Sequence, residues 1–343
     1  MKKIYLSVLA AAVAVTACDK SETINVENSK QQEVAFSPVN QPATKAPVET
    51  GAFPDDNTIF VSASNNKAEF FEAKTFKKDA VAGVWKNYVG AVQTPLYWPL
   101  GGTGSFDFLA YSTTLAGATA VWGDGGTPND VAGKVVITYP DNYGTPGSTT
   151  KTQDDLLYAT TSSTSSNAAL PIEFKHALAW VNFKVLSNIH VNIKKIELVN
   201  VFTEGVFTIN QTSNTPQISW TPGTKANKAI LTYKDDATTN KTASFNIDGS
   251  AGHEVGDPTD PSDPHYFDFG DMGILLPAQP IPNFRITYSL DGINDDVYVC
   301  NNVRGTWENG KKYTYKLAFS FNEITLTPTV IQYDAVTDMP INL

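Results

Sequence analysis

The most constraining feature of the sequence is a run of apolar residues at every second position between residues 311 and 321. The members of that run are Tyr313, Tyr315, Leu317, Phe319 and Phe321. Successive side chains of a strand point to opposite faces, so a period of two is typical of a strand with one buried face. The run is therefore predicted to be a half-buried strand, and it is the clearest strand signal in the chain.

Shorter runs of the same kind recur along the chain. Residues 58–63, 106–111 and 170–175 each place apolar side chains on one face, and a further strand is expected from Ala177 onwards. Long amphipathic helical stretches are absent, whereas Asn, Thr, Gly, Pro and Tyr are abundant. Many short strands separated by such turn residues indicate an all-β fold.

The length and the mid-chain pattern predict two domains. A chain of 343 residues favours two domains on length alone. The stretch 154–185 combines a strand, a Ser/Thr-rich loop and two further apolar segments, which is where one β-sandwich would close and another begin. We therefore predict tandem β-sandwiches at residues 51–187 and 188–328. The core of the first is predicted to include Phe106, Phe108, Trp180 and Phe183.

The N-terminus reads as an export signal. Lys2 and Lys3 precede an apolar run, residues 4–15, that is shorter than the roughly 20 residues a membrane-spanning helix needs. Small residues then lead to Cys18, as in a lipoprotein signal peptide. Residues 1–17 are predicted to be removed and the Cys18 sulfur to carry lipid. The alternative is an ordinary secretory signal with an incidental cysteine.

Residues 18–50 are interpreted as a tether with a removable strand. Val34 and Phe36 fall on one face of a short apolar segment, residues 33–36, which is predicted to fill a groove in the first sandwich. Prolines then interrupt an extended linker around Lys45, and exposed linkers of this kind are preferred sites of proteolysis. Cutting at Lys45 is expected to free the groove.

The C-terminal tail, residues 329–343, is predicted to be the strand that replaces the removed one. Its alternating residues on one face are Ile331, Tyr333 and Ala335. Pro328 cannot donate a main-chain hydrogen bond, so it is expected to mark a break between the last strand of the second sandwich and a mobile segment. The alternative is that the tail folds back on its own domain as an ordinary edge strand.

Composition and motifs exclude several function classes. The net charge of −10 argues against nucleic acid and anionic membrane as partners. Apart from Cys18 the chain has only Cys300, so neither an intrachain disulfide nor a cysteine-based zinc site is expected. No phosphate-binding loop, dinucleotide fingerprint or nucleophile elbow occurs. No cofactor and no metal are predicted.

A few isolated polar residues are weak indications of an active site or a metal site. His176 lacks an apparent nucleophile and is interpreted as structural. Asp154 and Asp155 are adjacent on a strand, so they are expected on opposite faces rather than in one acid pair. The acidic loop at residues 257–264 could bind Ca²⁺, but its proline spacing matches no calcium loop and a solvated loop is favoured. The sequence therefore predicts that the protein is not an enzyme.

Several segments together resemble the fimbrillin family of Bacteroidales, the Mfa-like and FimA-like subunits of type V pili. The segments are the cysteine motif ending at Cys18, residues 97–99 (YWP) before 106–111 (FDFLAY), 155–159 (DLLYA), 170–179 (LPIEFKHALA), 275–279 (LLPAQ) and 307–317 (WENGKKYTYKL). Their order and spacing extend over nearly the whole mature chain.

The resemblance implies two transthyretin-like β-sandwiches in tandem and export as an outer-membrane lipoprotein to the cell surface. It further implies that an arginine-directed protease removes the N-terminal strand and that a neighbouring subunit donates its C-terminal strand. The partners would be other fimbrial subunits, the outer membrane through Cys18, and host or bacterial surface ligands. This sequence departs from that pattern because its linker carries Lys45 and no Arg lies between Cys18 and the first domain. The alternative is a monomeric glycan- or host-binding surface lipoprotein, which needs no separable C-terminal strand.

Overall fold

The computed structural model describes a chain built of strands. The described residues are 32–39, 53, 55–65, 68–99, 104–123, 133–141, 154–164, 168–187, 191–211, 216–234, 242–244, 253–255, 266–268, 274–290, 294, 296–300, 303–319, 324–332 and 341–342. All of them fall within one unit, Gln32–Leu343. No helix occurs among them, so the predicted all-β class is confirmed.

The first fourteen strands extend from the N-terminal segment to the middle of the chain. They are β1 (Phe36–Val39), β2 (Thr58–Asn65), β3 (Ala68–Lys78), β4 (Trp85–Val89), β5 (Val92–Gln93), β6 (Phe106–Thr113), β7 (Thr119–Trp122), β8 (Lys134–Tyr139), β9 (Leu156–Ser163), β10 (Leu170–Glu173), β11 (Lys175–His176), β12 (Leu178–Ser187), β13 (Val191–Phe202) and β14 (Gly205–Asn210).

The remaining strands complete the chain. They are β15 (Gln217–Pro222), β16 (Lys225–Lys234), β17 (Thr242–Ser244), β18 (His253–Val255), β19 (Tyr266–Asp268), β20 (Ile274–Pro277), β21 (Gln279–Pro280), β22 (Asn283–Ser289), β23 (Asp296–Cys300), β24 (Thr306–Trp307), β25 (Lys311–Phe319), β26 (Ile324–Gln332) and β27 (Ile341–Asn342).

These strands form four large sheets and one small one. A nine-stranded sheet has the order β10-β1-β4-β3-β2-β6-β9-β11, with β5 paired to β4. Two six-stranded sheets follow, β19-β12-β25-β26-β27 with β20 on β12, and β17-β16-β13-β22-β23 with β18 on β13. A four-stranded sheet has the order β15-β14-β8-β7, and β21 pairs with β24.

Three groups of buried apolar side chains hold the sheets together. The N-terminal cluster includes Phe36, Phe76 and Phe108 on one face of the nine-stranded sheet. The C-terminal cluster lies between the two six-stranded sheets and includes Phe183 and Tyr315. Burial of this apolar surface is the main favourable term in folding.

The third group, the central cluster, joins strands from both halves of the sequence. Alternate residues of β6 enter different groups, since Phe108 belongs to the N-terminal cluster and Tyr111 to the central one. The four-stranded sheet covers this central cluster, and within it β8 pairs with β14, for example Ile137 with Phe207. This pairing crosses the boundary predicted at residues 187 and 188, and the division into two domains remains a prediction.

Strand β12 corrects one expectation about the first sandwich. Trp180 and Phe183 are buried as predicted, but neither belongs to the N-terminal cluster with Phe106 and Phe108. Trp180 packs in the central cluster and Phe183 in the C-terminal one. The reason is strand pairing, because β12 runs parallel to β25 and antiparallel to β20.

Strand β26 corrects the expected break at Pro328. Its antiparallel register with β25 continues from Ile324 opposite Phe319 to Gln332 opposite Lys311, and Pro328 lies opposite Tyr315. At Pro328, β25 is the one partner that the described residues provide. A proline is tolerated in such an edge position because its missing N–H need not face a partner.

Candidate functional site

The N-terminal segment, residues 32–39, is built into the nine-stranded sheet. At its start, the Val34 N–H donates to the carbonyl of Leu96 at 2.7 Å, and the Trp98 N–H donates to the carbonyl of Gln32 at 2.8 Å. These bonds place the beginning of the segment antiparallel to residues 96–98. The strand itself, β1, begins later than the predicted residues 33–36, although Glu33 already bridges to Tyr97.

Strand β1 then lies between two partners. It runs parallel to β10, with Phe36 opposite Leu170 and Val39 opposite Glu173, and Phe36 lies opposite Trp85 of antiparallel β4. The Leu170 N–H donates to the Ala35 carbonyl at 2.9 Å. Removing the segment would therefore expose main-chain groups of β10 on one side and of residues 96–98 on the other.

The inward side chains of this segment are core residues. Val34 and Phe36 are both fully buried in the N-terminal cluster. The Phe36 ring meets Phe76 edge-on at 4.8 Å between ring centroids and Phe108 at 5.5 Å. Burying a Phe side chain contributes about 1.5–3 kcal/mol, and edge-to-face contacts add to that. The two predicted residues thus occupy an apolar groove.

The groove retains two buried donors without acceptors. The indole Nε1–H groups of Trp85 and Trp98 are buried and have no hydrogen-bond partner within the described part of the chain. An unsatisfied buried donor costs about 1–3 kcal/mol. The main chains of both tryptophans adjoin the segment, since Trp85 lies opposite Phe36 and the main-chain N–H of Trp98 donates to the Gln32 carbonyl.

Glu33 on the outer side of the segment contacts two residues of the β4–β5 hairpin. Gln93 Nε2 donates to Glu33 Oε1 at 3.1 Å, and Lys86 Nζ lies 3.3 Å from Glu33 Oε2. Lys86 also lies 3.9 Å from Asp79 at the neighbouring turn. Sequence reasoning missed these residues, because Glu33 is separated from its partners by more than fifty positions.

The turn after β3 fixes Asp79 as an anion. The N–H groups of Ala82 and Val81 donate to Asp79 Oδ1 at 2.7 and 2.9 Å. The bond from Ala82 contributes most to holding the pKa of Asp79 below its usual range, with Val81 and Lys86 acting in the same direction against partial desolvation. The ammonium of Lys86 is therefore held between two carboxylates.

A buried Asp155–His176 pair lies where β9 meets β11. His176 Nδ1 contacts Asp155 Oδ2, and the Leu156 N–H donates to Asp155 Oδ1 at 2.7 Å. Both side chains are inaccessible, which confirms that His176 is structural. Asp154 instead accepts a hydrogen bond from Thr114 Oγ1 at 2.5 Å, so the two adjacent carboxylates face apart as predicted.

The other predicted site residues are placed differently. Ile331 belongs to β26, where it pairs with Lys312 of β25. Cys18, Lys45, Tyr333 and Ala335 lie outside the described residues, as does the acidic loop at residues 257–264. Their roles remain predictions.

The described residues contain neither a metal-binding cluster nor a membrane-spanning helix. No group of three or more His, Cys, Asp or Glu side chains in that part of the chain could hold a metal ion. No helix there is long and apolar enough to cross a membrane.

Comparison with known families identifies the chain. The profile of the fimbrillin-like family matches residues 44–332. The chain belongs to the fimbrillin-like family. The predicted resemblance is thereby confirmed, and this fimbrillin-like chain is placed among fimbrial proteins rather than enzymes. No curated protein sequence matched it.

A solved fimbrial protein shares the fold of this fimbrillin-like chain. A fimbrial protein from Bacteroides vulgatus is 13% identical, with a TM-score of 0.58 over 88% of this chain and 99% of that one. The tip fimbrial protein Mfa3 from Porphyromonas gingivalis, with a C-terminal truncation, is 11% identical, with a TM-score of 0.37 over 84% and 97%. Membership of the family supports a role as a fimbrial subunit at the cell surface.

Proposed function

We propose that this protein is a structural subunit of a cell-surface fimbria that assembles by strand exchange. The observation that carries the proposal is the position of residues 32–39. This short segment fills an apolar groove with Val34 and Phe36, and it lies between β10 and residues 96–98. An exposed sheet edge binds an incoming strand through main-chain hydrogen bonds and selects it through alternate side-chain pockets.

Export and release precede assembly in this proposal. Lipid on Cys18 anchors the exported chain in the outer membrane. A lysine-directed protease then cuts at Lys45 in the proline-rich linker and frees residues 32–39 from the anchor. An uncut chain would instead remain lipid-bound as the base of a fimbria, and adhesion to host or bacterial surface ligands would be a property of the assembled fibre.

The donor in this proposal is the C-terminal tail of a neighbouring subunit. Strand β26 is paired with β25 as far as Gln332, and Val330 is buried in the C-terminal cluster. Donating Ile331 would require this pairing to be broken. Donation from Tyr333 onwards leaves the β25–β26 ladder in place and breaks only the two pairs that β27 makes with Thr329 and Val330. The residues after Gln332, including Ala335, are therefore the preferred donor.

Assembly of purified mature chain tests the proposal. Full-length protein treated with a lysine-directed protease is expected to form ladders on unboiled gels, and a Lys45→Gln variant is expected not to. A chain ending at Gln332 keeps β26 intact and is expected to be cut without forming ladders. Ladders from that shortened chain would exclude the tail as donor, and a strictly monomeric full-length chain would favour the alternative of a monomeric surface-binding lipoprotein.

Membrane anchoring has its own test. Replacing Cys18 with Ser is expected to abolish metabolic labelling with palmitate and to release the protein from the membrane fraction. A Cys300→Ser variant is the matched control and should label normally. Unchanged labelling of the Cys18→Ser variant would mean that the N-terminus is an ordinary secretory signal.

A further inference from the structure

The N-terminal segment, residues 32–39, makes one charged side-chain contact with the neighbouring β4–β5 hairpin. Glu33 is the only charged residue among residues 32–39, and it lies on the face opposite to Val34 and Phe36. Its Oε1 accepts from Gln93 Nε2 at 3.1 Å and its Oε2 lies 3.3 Å from Lys86 Nζ. Both oxygens of the carboxylate are therefore engaged by the β4–β5 hairpin.

Both partners of Glu33 have contacts outside the strand, and Gln93 lies opposite Tyr88 in the β4–β5 hairpin. Lys86 is held in addition by Asp79, at 3.9 Å, and Asp79 is fixed by the N–H groups of Ala82 and Val81. The Lys86 and Glu33 side chains are only 20% and 24% exposed, which limits screening by solvent. A cation and an amide donor would thus remain beside the groove when the strand leaves.

A fixed contact of this kind can determine the register of the strand in the groove. Slipping a strand by one residue moves its apolar side chains to the wrong face, so the groove itself forbids it. A slip of two residues preserves the alternation, and main-chain hydrogen bonds are the same in either register. A carboxylate at one outer position separates these registers, because only one of them brings it to Lys86 and Gln93.

We propose that Lys86 and Gln93 form a carboxylate-binding subsite that fixes the register of whichever strand occupies the groove. The proposal rests on the strand exchange proposed above and specifies the strand that is selected. That strand carries an acidic residue, an apolar residue one position later and another apolar residue three positions later. Glu33, Val34 and Phe36 satisfy this spacing within the chain itself.

The tail of a second copy contains the same spacing once. Asp338 is followed by Met339 and by Ile341 at the required positions, whereas Asp334 is followed three positions later by Thr337. In this register Pro340 takes the place of Ala35, whose carbonyl accepts from the Leu170 N–H. A proline retains its carbonyl acceptor. The spacing therefore assigns Met339 and Ile341 of the second copy to the positions of Val34 and Phe36, and Ile341 must first leave its own partner Val330.

Release of the cut strand tests the subsite. The probe is the mature chain with residues 43–47 replaced by the recognition sequence of a site-specific protease. After cutting, dissociation of the labelled N-terminal fragment is followed in excess peptide of residues 32–39. Glu33→Gln and Lys86→Met are each expected to release the fragment about five- to twentyfold faster, because a charge-assisted contact is lost. The double variant should be no faster than either, and Ser37→Ala should stay within twofold.

The outcomes separate the subsite from strand exchange. Equal release rates for Glu33→Gln and the unaltered sequence overturn the subsite. If no fragment leaves even from the unaltered cut chain, strand exchange fails, and amide hydrogen exchange of residues 34–39 in the uncut chain then decides the subsite. Faster exchange in Glu33→Gln by the same factor supports it, and unchanged exchange overturns it.

Competition with synthetic tail peptides tests the assignment of the donor. A peptide of residues 334–343 is expected to displace the cut N-terminal fragment. Asp338→Asn should weaken this displacement about five- to twentyfold, because Lys86 keeps Asp79 but loses its second carboxylate partner. Asp334→Asn should change it less than twofold. Equal effects of the two substitutions, or no displacement by the unaltered peptide, overturn the assignment of Asp338 to the subsite.

Discussion

The strands near the two ends of the described chain are held in different ways. Strand β1 has four residues and lies between two partner strands, and its segment buries Val34 and Phe36 completely. Strand β26 has nine residues that all pair with β25, and β27 pairs with it only at Thr329 and Val330. The first rests on two fully buried side chains, and the second has a main-chain ladder of nine residue pairs.

This difference indicates which strand is suited to exchange. A short segment that fills a groove can be replaced by any strand with side chains of similar size and spacing, since few main-chain bonds have to be re-formed. A nine-residue ladder must be broken along its length before it can be donated. We therefore expect strands to be exchanged in the groove that β1 fills. Strand β26 is expected to stay paired with β25, and the tail extends from its end.

The largest expected effect comes from Phe36→Ala. The ring is fully buried between Phe76 and Phe108, so its removal leaves a cavity in the N-terminal cluster. We expect a loss of about 3–5 kcal/mol in the free energy of unfolding, measured by denaturant titration. Phe108→Ala, on the opposite side of the same contact, should cost a similar amount.

Ser37→Ala is the matched control for Phe36→Ala. Ser37 is half-buried in the same strand and is expected to change the free energy of unfolding by less than about 0.5 kcal/mol. A loss under 1 kcal/mol for Phe36→Ala would show that the segment contributes little to the core. The contrast with β26 drawn above would then be wrong.

The Asp155–His176 pair gives the next effect. It fixes β11 on β9, and β10, the parallel partner of β1, directly precedes β11. Asp155→Asn keeps the shape of the side chain but removes the charge that His176 contacts. We expect a loss of about 1–3 kcal/mol in the free energy of unfolding and faster amide exchange in β10. Unchanged exchange in β10 would mean that the pair does not support the groove.

The sequence predicted the local elements better than their partners. The alternation of Tyr313, Tyr315, Leu317 and Phe319 is a strand as expected, because a period of two depends only on neighbouring residues. Trp180 and Phe183 were predicted to be buried, and they are, but in different clusters from the one expected. Which sheet a strand joins depends on pairings between residues more than one hundred positions apart, such as Phe183 with Tyr315.

The candidate site shows the same limit. Val34 and Phe36 stand out in the sequence because they alternate on one face. Glu33 does not, since one acidic residue in a polar stretch carries no pattern, and its contacts with Lys86 and Gln93 arise only once the sheet has formed. A register-determining contact of this kind cannot be read from periodicity.

Alkaline unfolding sharpens the comparison by reporting on the central cluster. Burial raises the pKa of Tyr111 to about 12. The unfolded chain deprotonates near pH 10 and the folded chain only above that, so stability is retained below pH 10 and is lost as the pH rises towards 12. Tyr111→Phe is expected to recover about 1 kcal/mol at pH 11 and to change nothing at pH 7.

The control for the alkaline test is the chain that has been cut in the linker at residues 43–47 and has lost the fragment with residues 32–39. If loosening of the groove is confined to the N-terminal cluster, Tyr111 should titrate as in the intact chain, because it packs on the other face of β6. Spectrophotometric titration of the tyrosines measures this. A lowered pKa of Tyr111 in the stripped chain would show that the effect spreads through β6 into the central cluster.

The smallest expected effect comes from a substitution of Pro328, which tests the continuity of β26. If β26 is one continuous strand, Pro328→Thr should change the free energy of unfolding by less than about 0.5 kcal/mol, since the position needs no N–H towards a partner among the described residues. Amide exchange at Leu326, before position 328, should then be as slow as at Val330, after it. This should hold both in the unaltered chain and in Pro328→Thr. Fast exchange confined to residues 329–332 would mean that the mobile tail begins at Pro328, and Ile331 would return to the donor strand.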